Sequence, residues 1–279
     1  MAHFGIHFGL RVGGFASAVV AVAIVLSLGT AARAQLVASD TFNYTPGGTL
    51  SGSGGTGWSG AWTGNANTIT AGLTYPGLAD SASNAVTTSG SGSGSFRTLS
   101  AAQTSSDASP IYVAFLVRAV SSNFGPGTGD YAGLSLFQGT GNERFFTGAP
   151  YQTSTYGFDD QGGNVVVTGP AITPAATHLL VYRFGASRID FYADPTPGQP
   201  LPATSTGSTN KGVITFDTIR IQAGTGANVN MSFDELRIGS SFASVAPAAV
   251  VPEPGTTVPV LAGIAVTAAS ALLRRRASR

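Results

Sequence analysis

An all-β architecture, a sandwich or barrel of antiparallel strands, is what this sequence predicts, and three observations predict it. From Ile111 onward, short runs of β-branched and aromatic residues recur, separated by Gly, Pro, Asn and Asp. No stretch between residues 35 and 246 carries an amphipathic helical period. Residues 46–60 and 89–95 are rich in Gly, Ser and Thr, a composition suited to surface loops because glycine tolerates positive φ and little apolar surface is present to pack.

In chain order, residues 1–34 read as a secretory signal peptide. His3, His7 and Arg11 give a weakly basic start, Phe15 to Leu28 form an apolar run short for a membrane span, and Ala32-Arg33-Ala34 is an A-x-A cleavage signal before Gln35.

Residues 35–246 form one domain's worth of chain for an all-β fold, enough to bury a substantial core. The formal net charge of +1 mixes this core with both ends. Residues 35–246 hold 8 of the 14 basic residues and 12 of the 13 acids, a net charge of −4, with Lys211 the single lysine. That balance leaves no basic footprint for nucleic acid. There is no cysteine, which excludes disulfides, thiol catalysis, zinc-thiolate sites and thiol redox chemistry.

Strands are expected at 111–118, 131–138, 144–147, 156–159, 164–168, 178–184, 188–192, 218–223 and 229–238. Gly185-Ala186-Ser187 is a three-residue hairpin signal. Alternation turns Ile219 and Ile221 inward and Arg220 and Gln222 outward. In the last strand Met231 and Phe233 set one parity and Leu236 and Ile238 the other. Both pairs can face the core only if a β-bulge lies near Asp234-Glu235.

Ser39-Asp40-Thr41-Phe42-Asn43-Tyr44, Gly57-Trp58-Ser59-Gly60-Ala61-Trp62, His178-Leu179-Leu180-Val181 with Arg188-Ile189-Asp190-Phe191-Tyr192, and Phe233-Asp234-Glu235-Leu236-Arg237-Ile238-Gly239 together resemble the LamG-like, concanavalin A-like jelly rolls. The resemblance implies an antiparallel jelly-roll β-sandwich. It also implies function classes: lectins, adhesion modules, glycan-binding domains and some glycanases share that superfamily.

The residues weigh against catalysis. Glycanases of this fold carry acids on alternate positions of one strand so that they converge on one sugar bond, as in E-x-D-x-x-E, and no such run exists. The doublets Asp159-Asp160 and Asp234-Glu235 send neighbours to opposite faces. His178 is the single histidine of the core and reads as a strand-start residue, and no G-x-S-x-G accompanies the serines. The expectation is a non-catalytic protein.

Two binding readings stand beside it. Trp58, Trp62, Tyr131, Tyr151 and Tyr156 are candidates for stacking on sugar rings, against the alternative that both tryptophans cover the core or a loop base. The resemblance also implies adjacent terminal strands, which could bring Asp40 near Asp234 as calcium ligands; the alternative places Asp40 at a strand start and Asp234 at the bulge.

Residues 247–250 read as a linker, and 251–279 as a tail. Val251-Pro252-Glu253-Pro254-Gly255 opens it, an uncharged run follows to Leu273, and Arg274, Arg275, Arg276 and Arg279 close it. A helix over 255–273 would reach roughly 28 Å, close to the thickness of a bilayer's hydrocarbon core. The arginines behind it should stay cytoplasmic, leaving the rest of the chain outside. The Pro-Glu-Pro motif, the single marginal transmembrane helix and the arginine cluster resemble the PEP-CTERM sorting signal. That resemblance implies recognition by an exosortase in a Gram-negative bacterium, transient residence in the inner membrane and delivery to the cell surface or extracellular matrix. The leading expectation is thus an exported, structural or adhesive surface protein. The second is a lectin-like module holding exopolysaccharide, with or without calcium.

Overall fold

The computed structural model describes residues 34–250 except 65–66, 80–83, 91–93, 122, 128–129, 175 and 226–228. The signal-peptide, Pro-Glu-Pro, transmembrane and arginine assignments lie outside the described residues. Among the described residues no helix is long and apolar enough to cross a membrane.

Fourteen strands and one short helix appear among the described residues. The strands are β1 (Leu36–Asp40), β2 (Asn67–Ala71), β3 (Asn84–Thr88), β4 (Gly94–Thr104), β5 (Ile111–Ala119), β6 (Ala132–Gln138), β7 (Asn142–Ala149), β8 (Gly157–Asp159), β9 (Val165–Val166), β10 (His178–Phe184), β11 (Ile189–Ala193), β12 (Gly207–Thr209), β13 (Thr215–Ala223) and β14 (Met231–Gly239). The helix is α1 (Phe242–Val245). They form two antiparallel sheets. The first runs β12-β11-β10-β5-β14-β3-β2, with β1 also paired to β14, and the second runs β4-β13-β6-β7-β8-β9. The expected sandwich is therefore present.

Between the sheets lies the main core. Phe115, Tyr182, Phe184, Phe191 and Phe233 from the first sheet meet Leu134, Leu136, Phe145, Phe158, Ile219 and Ile221 from the second. A second apolar layer covers the far face of the first sheet, where Leu73, Leu78, Phe242, Val245 and Ala246 pack on Ala114, Leu116, Leu179 and Val181. That explains why β5 and β10 read as nearly unbroken apolar runs: both their faces are buried. α1 is set over this layer by a capping box between Ser241 and Ser244.

The bulge falls where the parity argument puts it. β14 pairs with β5 through Asp234, slips, and resumes at Arg237. Glu235 takes φ +50° there. The slip also divides the opposite edge of β14, because Ser232 and Phe233 pair with β3 while Leu236 to Gly239 pair with β1.

Four expectations are corrected. Residues 94–95, expected in a loop, begin β4. β2, β3 and β4 were absent from the expected strands because several of their inward positions are polar: Asn67 donates to Ser95 inside the sandwich, and Arg97 is 2% exposed. The β10–β11 connection holds four residues, with Gly185 N–H donating to the Arg188 carbonyl at 2.9 Å. Finally, the expected linker is tied to the body, since Ala79 N–H donates to the Pro247 carbonyl and Ala249 N–H to that of Gly77.

Candidate functional site

The tryptophan stretch turns out to be internal stitching. Residues 56–63 bridge both sheets: Thr56 pairs with Ser39 of β1, while Trp58 and Thr63 pair with Leu99 and Phe96 of β4. Trp62 is 3% exposed and donates its indole N–H to Asp40 Oδ2 at 2.7 Å. Trp58 is half-buried, donates to the Ser39 carbonyl at 2.9 Å, and has the Arg97 guanidinium over its ring at 4.8 Å. Trp62 is thus closed to a sugar, and Arg97 takes one face of Trp58. Tyr156, the third aromatic candidate, is fully buried.

The same contacts place Asp40. Its carboxylate accepts from Arg97, the Tyr44 hydroxyl and the Phe42 N–H as well as Trp62. Burial first, then the Asp40 charge, pushes the Tyr44 phenol well up. Asp40 shares the inward parity of Ala38. Asp234 takes the parity opposite to Phe233 and accepts the Leu73 N–H, in the second apolar layer, and the Glu235 N–H. The calcium pair is thus not brought together: its members stand on opposite faces of the first sheet, each engaged. Among the described residues no group of three or more His, Asp or Glu could hold a metal ion.

His178 begins β10 as expected, and its Nδ1 lies 2.8 Å from Asp194 Oδ2. Burial and the Asp194 charge push the neighbouring Tyr75 phenol up to about 12.

Tyr131 and Tyr151 do share a site, on the outer face of the second sheet. Strand register builds it. One row of outward positions crosses the sheet as Phe96, Arg220, Ser135, Phe146, Asp159 and Val165. The next row is Gly94, Gln222, Gly133, Gly148 and Gly157. Four glycines around one glutamine leave a shallow lane, and its neighbours lean into it. A Cβ on Gly133 would stand 2.4 Å from the Phe146 ring, and one on Gly94 2.7 Å from the Arg220 stem.

A pocket of about 230 Å³ opens here, lined by Tyr131, Glu143, Phe146, Pro150, Tyr151, Asp159, Gln161, Arg220 and Gln222. That is smaller than the roughly 300–1,000 Å³ of drug-sized sites, so it suits one ring of a larger ligand. Tyr131 stands edge-on to Phe146, with ring centroids 5.7 Å apart, and Tyr151 is 59% exposed at the rim. Arg220 ion-pairs with Glu143 at 3.3 Å and sits over the Phe137 ring at 4.6 Å. Burial draws its guanidinium below the ordinary value, and Glu143 and Tyr131 pull the other way.

The acid doublet 159–160 serves the pocket from beneath. Asp159 faces it and accepts the Gln161 N–H at 2.7 Å. Asp160, 1% exposed, turns inward and accepts from Gly162 N–H, both nitrogens of Asn164 and the Thr209 hydroxyl, while Lys211 donates to its carbonyl. Burial pushes the Asp160 carboxyl up, but these donors outweigh it and hold it below 3.8. The loop that carries Asp159 and Gln161 is fixed by that anchor.

Sequence alternation had turned Arg220 and Gln222 outward, and Arg220 is half-buried and Gln222 3% exposed on that face because the pocket covers them. Glu143, Phe146, Pro150 and Gln161 carry no sequence signal as site residues, and Asp159 enters the sequence reading only as half of an acid doublet. Their gathering depends on register across five strands.

No protein family profile and no curated protein matches the chain. Among solved structures, it is similar to an alginate lyase from Corynebacterium sp. at 12% identity, over 60% of this chain and 82% of that one, with a TM-score of 0.37. It is similar to a Trypanosoma rangeli sialidase in complex with the inhibitor DANA at 13% identity and a TM-score of 0.38, over 64% of this chain but only 28% of the sialidase. A carbohydrate esterase from the Shiga toxin-encoding bacteriophage phi24B matches at 13% identity over 75% of this chain and 99% of its own, with a TM-score of 0.41.

Proposed function

We propose that this chain is an exported, non-catalytic surface or matrix protein whose sandwich adheres to carbohydrate through the Tyr131–Tyr151 pocket. One observation carries the reading: two tyrosines, one of them largely exposed, border a recess with five polar or charged side chains on the outer face of the second sheet. Aromatic rings stack on the apolar faces of sugar rings while flanking polar groups take the hydroxyls. Trp58 and Trp62 leave the binding reading and become part of the scaffold.

Support for the non-catalytic part comes from the acids. Glu143 is engaged by Arg220, Asp159 accepts a backbone N–H, and His178 belongs to the first sheet, which favours a binding role for the two carboxylates that line the pocket. The pocket's polar groups are side chains, and the reading needs no calcium. Export rests on residues 1–34, and sorting to the surface or matrix by an exosortase rests on the resemblance of residues 251–279, with 255–273 in the membrane before processing. Exopolysaccharide is then the partner within reach.

The test is binding of the purified full-length protein to a panel of polysaccharides, with product analysis for chain cleavage. Saturable binding weakened by Tyr131→Ala and Tyr151→Ala, without new chain ends, is expected. Binding that ignores both variants would sink the pocket; new chain ends would sink the non-catalytic reading.

A further inference from the structure

We infer that the chain carries a second carbohydrate site, a recess walled by Tyr44 beside the β2 edge of the first sheet, which takes an uncharged, hydroxyl-rich sugar unit. A cavity of about 520 Å³ opens there, within the roughly 300–1,000 Å³ of small-molecule sites. Asn43, Tyr44, Thr45, Thr49 and Ser51 give it its side chains, and glycines complete the lining. It shares no residue with the Tyr131–Tyr151 pocket on the second sheet.

Backbone and clasp hold the walls in place. Residues 47–50 run along the outer edge of β2: Gly47 N–H donates to the Ile69 carbonyl at 2.9 Å, and Ile69 N–H to that of Gly48 and Leu50 N–H to that of Asn67 at 2.8 Å. The Tyr44 hydroxyl donates to Asp40 Oδ2 at 2.7 Å, and the Tyr44 carbonyl accepts from Asn84 Nδ2 at 2.9 Å. Its ring seats against the backbone of Gly52, where a Cβ would stand 2.0 Å from Tyr44 Cε1. A ring tied at its hydroxyl and its backbone is set before any ligand arrives, so binding does not have to order it.

The lining selects the chemistry. No carboxylate, ammonium or guanidinium borders the recess, so a charged group would enter it without a counter-charge. Thr45 and Thr49 are exposed, and their hydroxyls make no hydrogen bond among the described residues. A hydroxyl both donates and accepts, as do the hydroxyls of a sugar, so the two can pair in place of the water they hold. Tyr44 supplies the apolar wall that suits the C–H face of a sugar ring. A purely aliphatic ligand would strip the threonine hydroxyls of water and give nothing back. With the pocket on the outer face of the second sheet, one chain then has two places to hold polysaccharide and can link two strands. That linking rests on the pocket reading; the recess does not.

The experiment titrates the full-length protein with a glucose trimer and with its anionic and cationic counterparts, glucuronate and glucosamine trimers. Each titration is repeated on Tyr131→Ala with Tyr151→Ala, which silences the pocket, on Thr45→Val with Thr49→Val, and on all four changes together. Thermal melts confirm folding, and the threonines are exposed, so their loss leaves the fold in place. Two binding events per wild-type chain are expected for the glucose trimer. One persists in the tyrosine variant and weakens by about tenfold when both threonine hydroxyls are removed, the worth of about one neutral hydrogen bond. Absence of saturable binding in the tyrosine variant overturns the recess while the pocket stands. So does residual binding that ignores the loss of both hydroxyls, or tighter binding of either charged trimer by the tyrosine variant. Wild-type binding unmoved by the tyrosine changes but weakened with the threonines overturns the pocket and leaves the recess.

Discussion

Asp40 on β1 and Arg97 on β4 form an ion pair that crosses from one sheet to the other, with both side chains 1% exposed. Trp62, Tyr44 and the Phe42 N–H complete the carboxylate's shell, and Trp58 covers the guanidinium. A buried pair is worth little against well-packed apolar residues, but removing one member strands the other charge. Arg97→Ala should therefore cost about 3–5 kcal/mol of unfolding free energy, and Arg97→Met with Asp40→Leu should recover only part of it, because the Trp62, Tyr44 and Phe42 donors lose their acceptor. Denaturant unfolding of the single and double variants checks this; a single variant within 1 kcal/mol of wild type, roughly the worth of an exposed pair, would show the clasp to be idle.

Asp160 closes the opposite side. It follows β8 in the second sheet and is held by Thr209 of β12 at the edge of the first. Because its carboxyl is held below 3.8 in the folded protein, the ionised form contributes stability at pH values above 3.8. That contribution declines as pH falls through the lower folded value. Asp160→Asn should thus be less stable than wild type near neutrality, and the gap should narrow below pH 3.8. Thermal melts across that range test it, and a gap independent of pH would contradict the assignment.

A calcium clip between the chain ends would make melting chelator-sensitive. Asp40 faces the core and Asp234 faces the second apolar layer, and both have their oxygens occupied by protein donors. Excess chelator should leave the melting temperature unchanged. A drop of several degrees, which would correspond to about 1 kcal/mol or more for a domain this size, would place a calcium site elsewhere in the fold.

What could be read from the sequence follows how each strand spends its inward positions. β5, β10 and β14 put Val113, Phe115, Leu180, Tyr182, Phe233 and Ile238 inside, so periodicity found them and even located the bulge at Asp234-Glu235. β2 and β4 spend inward positions on Asn67, Ser95 and Arg97, whose hydrogen bonds run to partners tens of residues away. Local pattern carries no trace of such partners. The pocket was hidden for a related reason: Gly133 and Gly157 fall within expected strands and Gly148 just beyond one, but no local pattern shows that the register aligns them beside Gln222.

The aromatic candidates divide into two kinds, and one pair of measurements separates them. Trp62 is a buried donor to Asp40 and packs at 5.9 Å from Phe42, so Trp62→Ala opens a cavity and removes one of the carboxylate's four donors. It should cost about 3–5 kcal/mol in unfolding free energy. Tyr151 is 59% exposed and supports nothing in the core, so Tyr151→Ala should stay within about 0.5 kcal/mol of wild type. Sugar binding should run the other way at limiting ligand. Tyr151→Ala weakens it measurably through the lost stacking face, while Trp58→Ala leaves the affinity of the remaining folded protein unchanged. If Trp58→Ala abolishes binding in a protein that still melts cooperatively, the ligand sits at the tryptophan clasp and not on the glycine lane.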